Sequence, residues 1–112
     1  MKGIERKVGD AVIVDLQGKI LFGSGDDEFR EILNHAVDTC AGRLILNLGD
    51  VPYIDSAGIS ELVRAYARLN KVGGHLKLVN LSAKVRDLLT ITKLLTVFEA
   101  FDSEEEALQS FS

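Results

Sequence analysis

The residues best suited to chemistry form one short run, Asp55-Ser56-Ala57-Gly58, where an apolar segment gives way to a helical pattern. This places a hydroxyl beside a carboxylate and a glycine at a predicted helix N-terminus. Such a terminus carries unpaired N–H groups and a partial positive charge, so the fold would tolerate a phosphate added there. The run therefore makes Ser56 a candidate for reversible phosphorylation.

A purely structural interpretation of the same run is open. Ser56 could simply cap the helix, which is worth about 1 kcal/mol, with Asp55 available for the same task. An enzyme active site is not indicated, because the sequence offers no further nucleophile accompanied by a base and an orienting acid. We therefore expect no catalytic residues and a chain that is not an enzyme.

Other residues with chemical potential give weaker signals. The segment Gly23-Ser24-Gly25 could cradle a phosphate, but it lacks the lysine and the spacing of a P-loop. His35 and His75 fall in different predicted elements without ligand spacing, so we expect no metal site and no cofactor. Cys40 is the single cysteine, which excludes an internal disulfide and suggests a buried thiol in a reducing compartment.

Composition narrows the classes of function. The 112 residues suggest one domain, and the 46% apolar content is ordinary for a globular protein. A net charge of −4 argues against binding to nucleic acid. The sequence shows neither a signal peptide nor an apolar run long enough to span a bilayer, which predicts a cytoplasmic protein without membrane insertion.

Hydrophobic spacing predicts an α/β fold with a mixed sheet of four or five strands and about four helices. Consecutive strand, helix and strand segments predict right-handed parallel crossovers. The predicted strands are 4–8 and 11–16, joined by a turn at Gly9-Asp10, then 43–48, a strand around 76–79, and a short edge strand at 94–98. The predicted helices carry apolar stripes at 29–40 and at Ile59, Leu62, Val63, Tyr66 and Leu69, and two further helices begin after Ser82 and Ser103.

Helix ends carry recognisable signals. Ser24 or Asp26 is expected to cap the first helix, and Gly42 stands where a left-handed residue ends it. Ser82 is expected to cap the third helix. Ser103 followed by Glu106 forms a capping-box pattern.

The stretch from Leu46 to Gly58 resembles the signature of STAS domains: an apolar strand, an aromatic or apolar residue, then D-S-x-G. Within that family it most resembles the bacterial anti-sigma-factor antagonists. The similarity continues through 73–78 and 81–89 to Phe98 and 103–108. The resemblance implies a single STAS-like domain over residues 1–112.

The resemblance also implies a partner-switching function. Ser56 matches the position that is phosphorylated by the anti-sigma factor, a GHKL-type serine kinase. The unphosphorylated antagonist binds that kinase and releases a sigma factor, and a PP2C-type phosphatase reverses the modification. The partner-binding residues implied are Tyr53, Asp55, Ser56, Ala57, Gly58 and Ile59, with Leu21 and Ser24 from the preceding loop. We expect Gly58 to leave room for the partner, and phosphorylation to weaken binding without unfolding the domain.

One departure from the family pattern favours an alternative. Antagonists commonly carry an acidic residue in a G-E-L-D-like run, whereas this sequence has Gly18-Lys19-Ile20-Leu21, with leucine at the acidic position. The alternative is a non-phosphorylated STAS subunit that acts as a scaffold in a lipid-transport or signalling complex.

Overall fold

The computed structural model describes residues 1–111 and has the predicted α/β architecture: a five-stranded mixed sheet with four α-helices. In chain order the elements are β1 (Lys2–Val8), β2 (Ala11–Gln17), α1 (Asp26–Thr39), β3 (Arg43–Asp50), α2 (Ser56–Lys71), β4 (His75–Val79), α3 (Ala83–Ile91), a 3-10 turn (Leu94–Thr96), β5 (Glu99–Phe101) and α4 (Glu104–Gln109).

The sheet keeps its strands in chain order, β1-β2-β3-β4-β5. The hairpin of β1 and β2 is antiparallel and turns at Gly9, whose φ of 59° suits glycine. The strands from β2 to β5 are parallel, with Val14 opposite Leu46 and Leu46 opposite Leu78. The helices α1, α2 and α3 connect these parallel strands, so the carboxyl ends of β2, β3 and β4 meet at one edge of the sheet.

The two faces of the sheet bury different partners. The inner face packs against α1, α2 and α3 and forms the main core, in which Val14, Leu46 and Leu78 from the strands meet Phe29, Leu62 and Leu89 from the helices. The outer face is covered by α4, whose Ala107 packs on Ile13, Ile45 and Val79. Both faces of the central strands are therefore apolar, as their continuous hydrophobic runs predict.

The predicted edge strand at 94–98 is wrong. Leu94–Thr96 is a 3-10 turn, and β5 follows at Glu99–Phe101. Lys93 enters the turn with a φ of 61°, and the carbonyl of Leu94 accepts hydrogen bonds from the N–H groups of Val97 and Phe98. A short apolar run fits a turn packed on the core as well as it fits a strand, so the pattern alone could not separate them.

The predicted side-chain cap of α1 is also wrong. The N-cap is Gly25, with a φ of 95° and no side chain to donate or accept. A Cβ at Gly25 would lie 2.4 Å from the carbonyl oxygen of Lys19, so the close approach of these two backbones selects glycine. The Asp26 carboxylate instead accepts a hydrogen bond of 3.0 Å from the N–H of Gly23, within the preceding loop.

Two other predicted helix ends are confirmed. Ser82 accepts a hydrogen bond from the N–H of Val85, and Ser103 accepts one from the N–H of Glu106. The predicted end of α1 at Gly42 is wrong, because the C-cap is Cys40 and the first left-handed residue after it is Ala41, with a φ of 49°; Gly42 follows with a φ of 90°.

One residue of the predicted α2 stripe faces outward. Val63 is 42% exposed, whereas Ala65 is buried together with Leu62 and Leu69. The buried face follows the spacing of three and four residues through Ala65, whose small side chain contributes little to a hydrophobic pattern.

Candidate functional site

The run Asp55-Ser56-Ala57-Gly58 lies at the carboxyl edge of the sheet, where the segment after β3 enters α2. Asp55 is the N-cap: its Oδ1 accepts hydrogen bonds from the N–H groups of Ala57 (2.9 Å) and Gly58 (3.3 Å). Its carbonyl accepts the N–H of Ile59 at 3.0 Å. The interpretation of Ser56 as the helix cap is therefore wrong, because Asp55 holds that position.

Ser56 is the first residue of α2 and is exposed. Its carbonyl accepts a hydrogen bond of 2.9 Å from the hydroxyl of Ser60. The Ser56 hydroxyl itself has no hydrogen-bond partner within residues 1–111. It is an exposed hydroxyl within the described residues, and it is not needed to hold the helix end.

A second loop, between β2 and α1, lies against the start of α2. The N–H of Ile20 donates to the carbonyl of Tyr53 (3.1 Å), and the N–H of Asp55 donates to the carbonyl of Ile20 (3.0 Å). The N–H of Phe22 donates to Oδ2 of Asp55 at 2.9 Å. The site is thus built from the loops that follow two neighbouring parallel strands, the usual place for sites in such sheets.

The loop between β2 and α1 is closed on itself. Leu21 and Ser24 exchange two backbone hydrogen bonds, of 2.9 and 2.8 Å, and the N–H of Gly23 is held by Asp26. The N–H groups of residues 22–24 are all bonded to protein acceptors. The loop therefore offers no free N–H at Gly23 or Ser24 for the phosphate cradle that its glycines suggested.

Phe22 stands at the tip of this loop with 82% of its side chain exposed. Phe22 is not among the site residues predicted from the sequence. Its exposure could have been predicted from its position directly before Gly23-Ser24-Gly25, because loops of this kind run over the surface and seldom bury a large apolar side chain. The hydrogen bond from its N–H to Asp55, by contrast, joins residues 33 positions apart and could not be predicted from the local sequence.

The structure distributes the other predicted partner-binding residues unevenly. Tyr53 and Ser24 are exposed, and Leu21 and Ala57 are half-buried. Gly58 and Ile59 are buried.

Gly58 has a structural task. A Cβ at this position would lie 2.4 Å from Cγ1 of Ile54 and 2.7 Å from Cγ2 of Ile20. Both isoleucines are fully buried. The glycine therefore lets α2 approach the two loops beneath the site, and its missing side chain makes room for the core rather than for a partner.

The electrostatics of the site centre on Asp55. Its partial burial by itself would raise the pKa of the carboxyl. The hydrogen bonds from the N–H groups of Phe22, Gly58 and Ala57 outweigh that burial and hold its pKa below the ordinary value of 3.8. Asp55 is therefore a carboxylate at neutral pH, directly beside the Ser56 hydroxyl.

An ion-pair cluster fixes α2 against α1. Glu61 is 6% exposed and accepts hydrogen bonds from Arg30 of α1 (3.2 Å) and Arg64 (3.4 Å). The hydrogen bond to Glu61 raises the pKa of the Arg30 guanidinium. The carboxylate thereby links the two helices that carry the site loops at their N-termini.

The structure identifies no alternative chemical centre among residues 1–111. No group of three His, Cys, Asp or Glu side chains could hold a metal ion in this range. His35 pairs with Glu5 at 2.7 Å, and His75 begins β4. Cys40 is buried, and that burial raises the pKa of its thiol, which makes it a poor nucleophile. None of the helices in the described range is long and apolar enough to cross a bilayer.

The amino-acid sequence is similar to those of known proteins. The family model described as STAS domain matches residues 4–107. BtrV of Bordetella bronchiseptica, named as a candidate anti-sigma factor antagonist, is 31% identical over 111 residues, which cover 99% of this chain and 95% of BtrV.

Two solved structures share the fold. A candidate anti-sigma factor antagonist from Thermotoga maritima aligns with a TM-score of 0.88 at 23% identity, covering 96% of this chain and 92% of that one. The Bacillus protein SpoIIAA in its phosphorylated form aligns with a TM-score of 0.73 at 20% identity, covering 99% and 100%.

Proposed function

The chain belongs to the STAS domain family, and from that premise we propose that it is an anti-sigma factor antagonist switched off by phosphorylation of Ser56. The similarity to BtrV over nearly the full length of both chains supports the class of function. The observation that carries the switch is the free, exposed hydroxyl of Ser56 at the first position of α2.

In the proposed cycle the unphosphorylated chain binds its anti-sigma factor, a GHKL-type serine kinase, and a sigma factor is released. The kinase then transfers the γ-phosphoryl group of ATP to Oγ of Ser56: the new O–P bond forms, ADP leaves, and the hydroxyl proton passes to a base of the kinase. A PP2C-type phosphatase hydrolyses the ester and restores the binding form. This chain contributes only the acceptor hydroxyl and a surface, and catalyses no step.

The charge balance at the site explains why a phosphate would end binding. A phosphoserine adds about −1.5 to −2 charges at neutral pH. The N–H groups of Ala57 and Gly58 are already bonded to the Asp55 side chain, and that of Ile59 to the Asp55 carbonyl. Contrary to the unpaired N–H groups expected from the sequence, the helix end therefore has few donors left to neutralise the phosphate, and the neighbouring carboxylate repels it. The added charge remains on the surface, where a partner fitted to a neutral hydroxyl would have to bury it.

The experiment that tests the proposal is intact mass measurement after incubation with Mg-ATP and the GHKL-type anti-sigma factor kinase encoded nearest to its gene. We expect one added phosphate on the wild-type protein and none on the Ser56→Ala variant. Ser60→Ala is the matched control, since Ser60 is exposed one helical turn further along, and it should be phosphorylated like the wild type.

Two results would contradict the proposal. A phosphate retained in Ser56→Ala would place the modification elsewhere. An unmodified wild-type protein, with a kinase shown to be active on another substrate, would favour the non-phosphorylated scaffold subunit that Leu21 suggests.

A further inference from the structure

We propose that Phe22 is the principal apolar anchor for the anti-sigma factor, and that Asp55 is the residue that positions it beside Ser56. This inference rests on the proposed function and identifies the residue that sets affinity for that partner. The partner it requires is a protein with an apolar pocket next to the surface that receives the Ser56 hydroxyl.

The first observation is the exposure of Phe22. At 82% it is the most exposed large apolar side chain of the described residues. Val72 and Ile91 are comparably exposed, at 77% each, but they lie at the C-terminal ends of α2 and α3. Phe22 alone of these three belongs to the loop that contacts the start of α2. Aromatic residues, phenylalanine among them, are enriched at protein interfaces relative to the rest of the surface.

The second observation is that the loop is ordered before any partner binds. The reciprocal bonds between Leu21 and Ser24 close the turn on either side of Phe22. The N–H of Phe22 is held by Asp55, and the N–H of the next residue is held by Asp26. An anchor on a preorganised loop loses little conformational freedom on binding, which increases affinity.

The third observation is that Asp55 connects the loop of Phe22 to the helix start that carries Ser56. The two oxygens of Asp55 divide their hydrogen bonds: Oδ1 holds the start of α2, and Oδ2 holds Phe22. One side chain therefore fixes the backbone at Phe22 relative to the first turn of α2, where Ser56 lies. Tyr53 is 42% exposed, and its carbonyl accepts a hydrogen bond from Ile20 of the same loop, so a second exposed aromatic residue belongs to this site. A partner that contacts Ser56 consequently meets Phe22 as well.

The test compares three variants by isothermal titration calorimetry against the anti-sigma factor kinase that phosphorylates the wild type. Phe22→Ala should raise Kd on the order of tenfold to a hundredfold. Phe22→Tyr, which keeps the aromatic ring, should bind nearly as the wild type does. Val72→Ala removes an equally exposed apolar side chain at the far end of α2 and should leave Kd within about twofold. Urea unfolding of all three should match the wild type, because the substituted side chains are exposed.

The outcomes separate this inference from the proposed function. If the wild type binds and is phosphorylated while Phe22→Ala binds equally well, Phe22 is not an anchor and the proposed function still stands. If Val72→Ala weakens binding as much as Phe22→Ala does, the effect is not specific to the loop and the inference is again overturned. A wild type that neither binds an anti-sigma factor kinase nor accepts phosphate overturns the proposed function and the anchor with it.

Discussion

Oδ2 of Asp55 accepts a hydrogen bond of 2.9 Å from the N–H of Phe22, a residue 33 positions earlier in the chain. The other oxygen of the same carboxylate caps α2. A single side chain thus joins the loop after β2 to the helix after β3, and it sets the surface on which Ser56 lies.

Removal of the Asp55 carboxylate should affect both loops. Asp55→Ala is expected to lower the free energy of unfolding by about 1–2 kcal/mol, because it removes the helix cap. Asp55→Asn should retain most of that stability, since asparagine is an equally good cap. In both variants the Phe22 amide loses its acceptor and should exchange with solvent faster. Urea unfolding and amide hydrogen exchange by NMR measure the two effects, and the Ser24 amide, bonded to Leu21, is the internal control. Unchanged exchange at Phe22 would contradict the described bond.

A methyl group at Gly58 should destabilise the domain. Gly58→Ala places a Cβ within 2.4 Å of Ile54 and 2.7 Å of Ile20, and such overpacking costs about 1–3 kcal/mol. At an unhindered helix position alanine is more stable than glycine by about 1 kcal/mol. A variant more stable than the wild type would therefore show that the new Cβ causes no costly clash, and it would contradict the prediction. Chemical denaturation gives the answer, with Ser60→Ala as the surface control, expected within about 0.5 kcal/mol of wild type.

A fixed negative charge at Ser56 should separate binding from stability. Ser56→Asp is expected to abolish binding to the anti-sigma factor while changing the free energy of unfolding by less than about 1 kcal/mol, since the helix dipole and the Asp55 carboxylate act in opposite directions. Ser60→Asp carries the same charge one turn away and should bind better than Ser56→Asp. Calorimetric titration measures the binding to the anti-sigma factor, and thermal unfolding measures the stability. A large loss of stability with intact binding would return Ser56 to a structural role.

The ion pair between β1 and β2 predicts an acid limit to stability. Hydrogen bonds from Arg6, at 2.5 and 3.0 Å, hold the pKa of Asp15 below its ordinary value of 3.8, with burial opposing and Asn47 assisting. A carboxyl whose pKa is lowered by folding stabilises the folded state fully above its unfolded pKa. That contribution should remain intact above pH 3.8 and be lost as the pH falls from 3.8 through the lowered value.

Asp15→Asn should therefore be less stable than the wild type at neutral pH, and the difference should shrink on acidification below that range. Free energies of unfolding from urea titrations across the acid range test this. Asp10→Asn, in the exposed hairpin turn, is the control and should follow the wild type. A difference between Asp15→Asn and wild type that grows on acidification would contradict the assignment.

The elements of the fold were predictable because apolar periodicity reflects burial. The stripe of Phe29, Leu33 and Ala36 faces the core of α1 as its spacing requires, and Leu44–Leu46 is buried on both faces of the sheet. The start of α2 at Ser56 was predictable for the same reason, together with capping chemistry.

Details that depend on distant contacts were not predictable. Aspartate and serine are equally suited to capping, and only the backbone of the segment after β3 selects Asp55. The reason for glycine at position 58 lies in Ile20 and Ile54, which approach it only in the folded chain.

The burial of Lys77 also depends on residues distant in the sequence and was not predictable from its neighbours. A lysine between Leu76 and Leu78 would be expected to reach solvent, yet it is 3% exposed beneath α4. Its ammonium group lies 5.4 and 4.7 Å from the ring centres of Phe101 and Phe111 and 3.2 Å from Glu99. The two rings and the carboxylate compensate its loss of hydration, and both rings come from the C-terminal part of the chain.

The agreement between strand order and chain order bears on how this protein is assembled. Because each strand pairs with the one before it, the sheet can grow by addition while the chain emerges from the ribosome, without waiting for distant segments. The exception is α4, whose Glu104 bonds to Arg6 across 98 positions. Its docking covers Ile13, Ile45 and Val79 and joins the last helix to the first strand, so the outer face of the sheet is completed only by the C-terminal part of the chain.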